Sequence, residues 1–147
     1  MGEQPMSAVE PPRIVLDTNV LVRALGPASP FRGLYDAFRH ARFTLCVSTA
    51  VLFEYEEMAR RMASPSAAAR LLRELHALPN VRAVEPAFRW RRTPTDPDDD
   101  KFVDLAITAG ADALVTEDRH LDPAALARGF PPVRVLRAAD FQRWLDA

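Results

Sequence analysis

The sequence predicts an α/β protein in which a parallel sheet of four or five strands is flanked by helices. Short β-branched, apolar runs such as residues 13–17 and 113–116 alternate with longer stretches whose apolar residues recur at helical spacing. This alternation is typical of βαβ units, and continuous apolar runs are typical of strands buried on both faces. The chain of 147 residues suits one core. We therefore expect a single domain over residues 13–147, preceded by a loose tail at residues 1–12.

The first half of the chain is expected to contain three strands and four helices. Strands are predicted at residues 13–17, 43–47 and 81–84, the last of them short and at the sheet edge. Helices are predicted over residues 20–25, from Pro30 through Phe38, from Ser48 to the Ser64-Pro65-Ser66 break, and onward to Leu78. Thr18 and Asn19 are expected to cap the first helix, and Ser48 to cap the third, because short polar side chains satisfy the first free N–H groups.

The second half begins with an irregular, basic and proline-containing stretch at residues 89–97. A helix is predicted over residues 98–109, with Gly110 at its C-terminal end, where glycine readily adopts the left-handed conformation. The remaining elements are a strand at 113–116, a helix at 123–128, a strand at 133–136 and a helix at 139–145. The order of elements is that of a doubly wound parallel sheet.

Composition excludes several classes of protein. The net charge of −1 comes from 19 basic and 20 acidic residues, so any nucleic-acid site must be local. No apolar run approaches the roughly 20 residues that span a bilayer, and residues 1–12 lack the pattern of a signal peptide. The single cysteine, Cys46, excludes an internal disulfide and fits a reducing compartment. We expect a cytoplasmic protein with Cys46 buried on a strand.

Four acidic positions lie far apart in the chain, and each is expected where a strand meets a helix. They are Asp17, Glu54, the run Asp98-Asp99-Asp100, and Asp118. Ligands of open α/β sheets bind at the carboxyl ends of the strands, so these side chains are expected to converge there. Like charges about 5 Å apart repel by roughly 3 kcal/mol at an effective dielectric of about 20. A cation is therefore expected among them, and oxygen ligands favour Mg²⁺ or Mn²⁺ over zinc.

Each acid also has an ordinary structural alternative. An aspartate directly after a strand, such as Asp17, is often a helix cap. Glu54 lies in the glutamate-rich run EYEE, where a solvated surface position is a competing interpretation. Consecutive aspartates on a helix point about 100° apart, so one or two of Asp98, Asp99 and Asp100 can face a shared site while another caps the helix.

Two segments of the chain resemble the PIN-domain family, in particular the VapC-like toxins of toxin–antitoxin pairs. These segments are V-L-D-T-N-V-L and D-D-x-F-x-x-L-A-x-x-x-G-A-D-x-L-V-T-x-D-x-x-L. The similarity extends from Arg13 to about Trp144. The resemblance implies a PIN-like three-layer fold with a parallel sheet of four or five strands. It also implies a Mg²⁺- or Mn²⁺-dependent ribonuclease whose products carry a 5′-phosphate and a 3′-hydroxyl.

The resemblance assigns roles to individual residues. The four metal-binding and catalytic acids of the family match Asp17, Glu54, Asp99 and Asp118, with Asp100 as the alternative third ligand. Three polar residues are expected to support them by hydrogen bonds or by capping, namely Asn19, Ser48 and Thr116. His40, His76 and His120 share no ligand spacing and are interpreted as structural residues on mostly helical surfaces.

RNA contacts are expected from two basic places. The densest basic segment has Arg89 before Trp90 and Arg91 and Arg92 after it. Arginines can bind phosphate there, and the aromatic ring can stack on a base. The alternative is a solvated loop with Trp90 in the core or in a dimer interface. Arg23, on the first helix, is a comparable candidate for an RNA contact.

The resemblance also implies partners: a homodimer and a small cognate antitoxin. Other functions on the same architecture fit less well. Phosphatases of the haloacid-dehalogenase type need Asp-x-Asp after the first strand, and Asn19 stands at the second position. Receiver domains need a lysine after a late strand, whereas the only lysine is Lys101. A non-catalytic or degenerate PIN-like domain that binds RNA or a partner remains the alternative to the ribonuclease.

Overall fold

The computed structural model describes residues 10–93 and 96–147, and its strands form a single parallel sheet. The strands are β1 (Arg13–Leu16), β2 (Thr44–Val47), β3 (Val81–Ala83), β4 (Ala113–Val115) and β5 (Val135–Leu136). Their order across the sheet is β3-β2-β1-β4-β5, and every neighbouring pair is parallel. The predicted fold class, a parallel sheet of four or five strands flanked by helices, is confirmed.

Seven helices accompany the strands in the described residues. They are α1 (Thr18–Ala24), α2 (Arg32–Arg39), α3 (Thr49–Met62), α4 (Pro65–Ala77), α5 (Asp100–Ala109), α6 (Pro123–Arg128) and α7 (Ala138–Asp146). A 3-10 turn at Pro97–Asp99 precedes α5. Helix α5 packs against β1, β2 and β4, while α1 contacts α2 and α3. None of these helices is both long and apolar enough to cross a membrane.

The core is built from the two strands at the centre of the sheet and the helices beside them. Ile14, Val15 and Leu16 of β1 are buried, as is all of β4. Burial of every side chain in a strand explains the continuous apolar runs in the sequence. Cys46 is buried on β2, as expected. The edge position predicted for residues 81–84 is also confirmed, since β3 pairs only with β2 and exposes Arg82 and Ala83.

The element boundaries agree with the predictions to within two residues, but the cap of α1 was predicted wrongly. Asp17 occupies the N-cap position, and Thr18 and Asn19 lie inside the helix. The Thr18 hydroxyl instead donates to Glu54, so a tertiary contact replaces the local cap. The predicted cap of α3 is confirmed, because Ser48 Oγ accepts from the Val51 N–H at 3.2 Å.

At the other end of a helix, Gly110 closes α5 in the left-handed conformation, with φ of 61°. Residues 98 and 99, expected in this helix, belong to the 3-10 turn before it. Most of the expected tail, residues 1–9, and residues 94 and 95 of the expected irregular segment lie outside the described residues.

The strand order fixes where a ligand site can form. The chain moves from β1 outward to β2 and β3, then returns to place β4 on the opposite side of β1. Beyond the carboxyl ends of β1 and β4, the connections leave in opposite directions. In open α/β sheets such a reversal leaves a crevice in which ligands bind. Asp17 directly follows β1, and Thr116 and Asp118 follow β4.

A buried tyrosine secures this end of the sheet. Tyr55 Oη on α3 donates to the Leu16 carbonyl oxygen at 2.5 Å, and the side chain is fully buried. Tyr55→Phe should lower the free energy of unfolding by about 1–2 kcal/mol, because a buried carbonyl loses its partner. Urea denaturation monitored by circular dichroism measures this change.

Tyr35→Phe is the matched control. Tyr35 donates to Glu74, which also pairs with Arg39 at 2.8 Å and keeps 15% of its side chain exposed. Arg70 Nε also donates to Tyr35 Oη at 2.9 Å. Water and Arg39 remain available to Glu74, and water to the partly exposed Arg70, so this substitution should destabilise the protein less. Equal losses in the two variants would contradict the anchoring role of Tyr55.

Candidate functional site

Asp17 is the most constrained acid at the carboxyl edge of the sheet. Its backbone N–H donates to the Val115 carbonyl at 2.9 Å, which continues the pairing of β1 with β4 past the end of the strand. Its side chain is only 7% exposed and makes no capping hydrogen bond. Instead, Asp17 Oδ2 accepts from Thr116 Oγ1 at 2.6 Å. Asp17 therefore sits at a helix N-terminus without serving as a side-chain cap.

Thr116 links this acid to the next one. While its hydroxyl donates to Asp17, Thr116 Oγ1 also accepts from the Asp118 backbone N–H at 3.0 Å. The side chain of Thr116 is fully buried. One hydroxyl group thus orients the acid after β1 and the loop that carries the acid after β4. This is the supporting hydrogen bond expected for Thr116.

Glu54 projects from α3 and is held by two other elements. The Thr18 hydroxyl donates to Glu54 Oε2, and Lys101 Nζ lies 2.8 Å from Glu54 Oε1. Lys101 also donates to the Asp98 carbonyl oxygen at 2.8 Å. Side-chain exposure is only 30% for Glu54 and 24% for Lys101. Glu54 is thus a half-buried, paired acid, and the solvated surface position does not describe it.

The three consecutive aspartates face different surroundings. Asp98 is exposed, whereas Asp99 is buried. Asp100 Oδ1 accepts from the backbone N–H of Thr93 at 3.0 Å and also from the Thr93 hydroxyl. The 3-10 turn and the start of α5 therefore direct Asp99 into the site and bring Asp100 against the preceding loop.

The pKa of Asp99 is raised by its burial and by neighbouring acids. Burial, the neighbouring Asp118 carboxylate, and the charges of Asp96 and Asp17 raise the pKa of Asp99 to about 7. Asp99 Oδ2 is buried and finds no hydrogen-bond partner in the described residues. A buried carboxylate oxygen without a donor is unfavourable unless a proton or a cation compensates it.

The pKa values of Asp17 and Asp118 are also shifted by burial and by neighbouring groups. Burial raises the pKa of Asp17, the Thr116 hydrogen bond opposes this, and the charges of Asp118 and Glu54 add to it. Burial also acts to raise the pKa of Asp118. Hydrogen bonds from His120 and the interaction with Asp99 outweigh the effect of burial, so the pKa of Asp118 falls below its usual value. Asp99 and Asp118 therefore titrate as a pair, in which the proton favours Asp99 over Asp118 below about pH 7.

His120 and Asp96 were missed as members of this group. His120 lies in an exposed turn rather than on a helix, with Nδ1 3.1 Å from Asp118 Oδ1. One ligand atom each from Asp96, Asp118 and His120 lies within 4.8 Å of the others. The position of His120, two residues after an acid that follows a strand, was the signal available in the sequence.

Other residues expected to take part lie elsewhere or have structural partners. Ser48 caps α3. Asn19 is exposed and lines a second cavity together with Arg23, whose guanidinium lies 4.5 Å from the centre of the Phe31 ring. Arg92 donates to the carbonyl oxygens of Pro131 and Leu126.

The donor set suits a hard divalent cation. Asp17, Asp99 and Asp118 come from three separate parts of the chain, and the charge of Asp118 acts on the carboxyl groups of both Asp17 and Asp99. Such ligands favour Mg²⁺ and Mn²⁺. The unpartnered Asp99 Oδ2 and the raised pKa values of Asp17 and Asp99 are what a site adapted to positive charge shows without it.

A parallel sheet whose strand order reverses at β1 and β4 places this chain among the doubly wound α/β proteins, which bind ligands at that switch point. The family model described as the PIN domain matches residues 13–120, which is most of the chain. The chain therefore belongs to the PIN-domain family. No curated protein gives a significant match.

Solved structures share the fold. VapBC2 from Rickettsia felis, crystallised with a DNA fragment from its promoter, matches with a TM-score of 0.56 and 17% identity, covering 85% of this chain and 98% of the other. PAE2754 from Pyrobaculum aerophilum matches with a TM-score of 0.56 and 18% identity, covering 92% and 90%. At these identities the similarity is one of fold.

The raised pKa of Asp99 predicts a pH-dependent stability. The unfolded carboxyl loses its proton near its usual pKa of 3.8, whereas the folded one keeps it up to about 7. The folded state therefore binds more protons in this window, and stability falls as the pH rises through it. In EDTA, the stability of Asp99→Asn should fall less than that of wild type as the pH rises. At about pH 8 the variant should melt at a higher temperature than wild type.

Asp98→Asn removes the same charge from an exposed neighbour and is the control. It should follow the wild-type melting curve. Addition of Mg²⁺ or Mn²⁺ should raise the melting temperature of wild type and of Asp98→Asn more than that of Asp99→Asn, since binding to the folded state stabilises it. A wild type that responds to neither metal would disprove the cation site.

Proposed function

We propose that this protein is a Mg²⁺- or Mn²⁺-dependent endoribonuclease that hydrolyses phosphodiester bonds in RNA. The observation that carries the proposal is the group of acids at the switch point: the charge of Asp118 acts on both Asp17 and Asp99, and Asp99 Oδ2 is buried with no partner among the described residues. Membership of the PIN-domain family supports the same function. A divalent cation held by these acids would supply positive charge that stabilises the transition state of phosphodiester hydrolysis.

The carboxylates of Asp17, Asp99 and Asp118 are the proposed metal ligands, and Glu54 is a fourth acid at the same site. Asp100 would have to leave Thr93 in order to take part. A bound divalent ion would supply positive charge to the phosphate and lower the pKa of a water. The protein's own contribution is orientation: Thr116 holds Asp17, and Thr18 and Lys101 hold Glu54.

Binding of a cation should release a proton from the Asp99 carboxyl. Asp99 keeps a proton near neutral pH, and a cation beside it would displace that proton by favouring the carboxylate. Metal affinity should therefore rise with pH.

RNA contacts are proposed at Arg91 and Arg23, whose side chains are exposed. Arg92 is a weaker candidate, because two backbone carbonyls already bind its guanidinium.

Loss of a proposed ligand, or of the fourth acid Glu54, should strongly reduce cleavage. Asp17→Asn and Glu54→Gln should each reduce the rate at saturating RNA by at least about 100-fold. Even residues that only orient metal ligands contribute up to that much. The measurement is cleavage of a 5′-labelled RNA in Mg²⁺ or Mn²⁺, with an EDTA control.

Glu57→Gln is the matched control, because Glu57 lies exposed on the same helix as Glu54. It should cleave at the wild-type rate, and circular dichroism should show that all variants are folded. Wild-type activity in Asp17→Asn would refute the site. A wild type that binds RNA without cutting it in either metal would favour the non-catalytic alternative.

The biological setting is proposed from the same comparisons. VapBC2 from Rickettsia felis, which shares this fold, was crystallised with promoter DNA. By analogy we propose that this chain is the toxin of a toxin–antitoxin pair and binds a small cognate antitoxin. The lone, buried Cys46 supports a cytoplasmic location.

A homodimer is proposed from the surface of α3. Phe53 and Met62 on this helix are 74% and 69% exposed. Large apolar side chains left in water are a typical feature of association surfaces. Light scattering at micromolar concentration should give twice the chain mass of 16.4 kDa, and Phe53→Glu should shift the protein towards the monomer. A monomer mass for wild type would contradict this proposal.

A further inference from the structure

A cavity of about 720 Å³ opens beside the acidic site. Its wall includes Lys101, whose Nζ lies 2.8 Å from Glu54 Oε1. Lys101 therefore links the wall of the cavity to Glu54, the fourth acid of the candidate site. Its size falls within the range of small-molecule sites, about 300–1,000 Å³, and leaves room for one nucleotide.

An exposed aromatic ring lines this cavity. Phe88 is 60% exposed, and its centroid lies 4.9 Å from that of Trp90 at an interplanar angle of 57°. Trp90 is itself anchored, because its backbone N–H donates to Asp104 Oδ1 at 3.0 Å. Phe88 therefore packs against Trp90, while most of its side chain is open to solvent. Protein aromatic rings presented in this way stack on the unpaired bases of single-stranded nucleic acid.

The acidic side chains around the cavity have hydrogen-bond partners, whereas two of the basic ones form no ion pair in the described part of the chain. Each acid in the wall accepts a hydrogen bond from the backbone: Glu85 from Thr49, Asp100 from Thr93, and Asp104 from Trp90. Arg89 and Arg91, in the same wall, form no ion pair within residues 10–93 and 96–147. The guanidinium groups are thus the polar groups left to bind a phosphate.

A strained residue places one of these arginines at the cavity. Arg91 adopts φ of 54°, in the left-handed region that non-glycine residues rarely occupy. The chain reverses its side-chain direction there. Arg92 turns to the carbonyls of Pro131 and Leu126, while Arg91 stays exposed at the cavity. Such conformations often mark functional segments.

We propose that this cavity binds one unpaired nucleotide of the RNA, next to the phosphodiester that is cleaved. The base stacks on Phe88, and Arg89 and Arg91 bind the adjoining phosphates. This inference rests on the proposed ribonuclease function and assigns a place on this chain to one nucleotide of the substrate. A base within a duplex would have to leave its stack to enter the cavity, which disfavours double-stranded substrates.

The test measures binding separately from cleavage. Fluorescence anisotropy of a labelled single-stranded RNA in EDTA should give a Kd about tenfold higher for Phe88→Ala than for wild type, as expected for loss of one stacked base. Phe88→Trp should retain the wild-type Kd. Arg91→Gly, in which the left-handed conformation is unstrained, should weaken binding and reduce its dependence on salt concentration.

Phe130→Ala is the control, because Phe130 is another exposed ring, 89% exposed, and does not line this cavity. Its Kd should match that of wild type. An unchanged Kd for Phe88→Ala, an equal loss in Phe130→Ala, or equally tight binding of the duplex form would overturn the nucleotide site. Absence of metal-dependent cleavage alongside normal, Phe88-dependent binding would overturn only the proposed ribonuclease activity.

Discussion

The candidate site depends on one buried hydroxyl group. Thr116 Oγ1 has a single hydrogen to donate, and it donates to Asp17 Oδ2. Its lone pairs are then available to the Asp118 N–H, which is the contact observed. The two bonds fix the acid after β1 relative to the loop after β4. A valine in this position would have a similar volume but could orient neither group, so hydrogen bonding explains the residue type better than packing does.

The acids at this site repel one another, and the rest of the fold compensates for that repulsion. The strands that deliver Asp17 and Asp118 are buried along their whole length, apart from Arg13 at the start of β1. Hydrophobic burial contributes about 1.5–3 kcal/mol for each large apolar side chain. A few such residues outweigh the mutual repulsion of partly neutralised carboxylates. Protonation of Asp99 and the Lys101–Glu54 ion pair reduce the repulsion further.

The basic segment before α5 shows how one backbone conformation separates similar residues. Arg91 and Arg92 are adjacent and chemically identical, and the sequence pattern suggested the same role for both. The left-handed conformation of Arg91 directs Arg92 beneath the loop after α6, where Gly129 leaves space that a Cβ would occupy. Arg92 thereby holds the segment in place. Arg91 and Arg89 remain at the cavity surface, next to Phe88.

The sequence by itself determined the fold class, the order of the elements and the edge position of residues 81–84, because these follow from local apolar patterns and turn residues. It also indicated that Asp17 and Asp118 would meet, since both directly follow buried parallel strands. Only the tertiary structure decided which of three consecutive aspartates enters the site. A 3-10 turn replaces the first part of the predicted helix, and this changes where each side chain points. Likewise, the partners of Thr18, Glu54 and Lys101 lie on different elements. Contacts between residues so distant in sequence depend on helix packing, which leaves no signal in local periodicity.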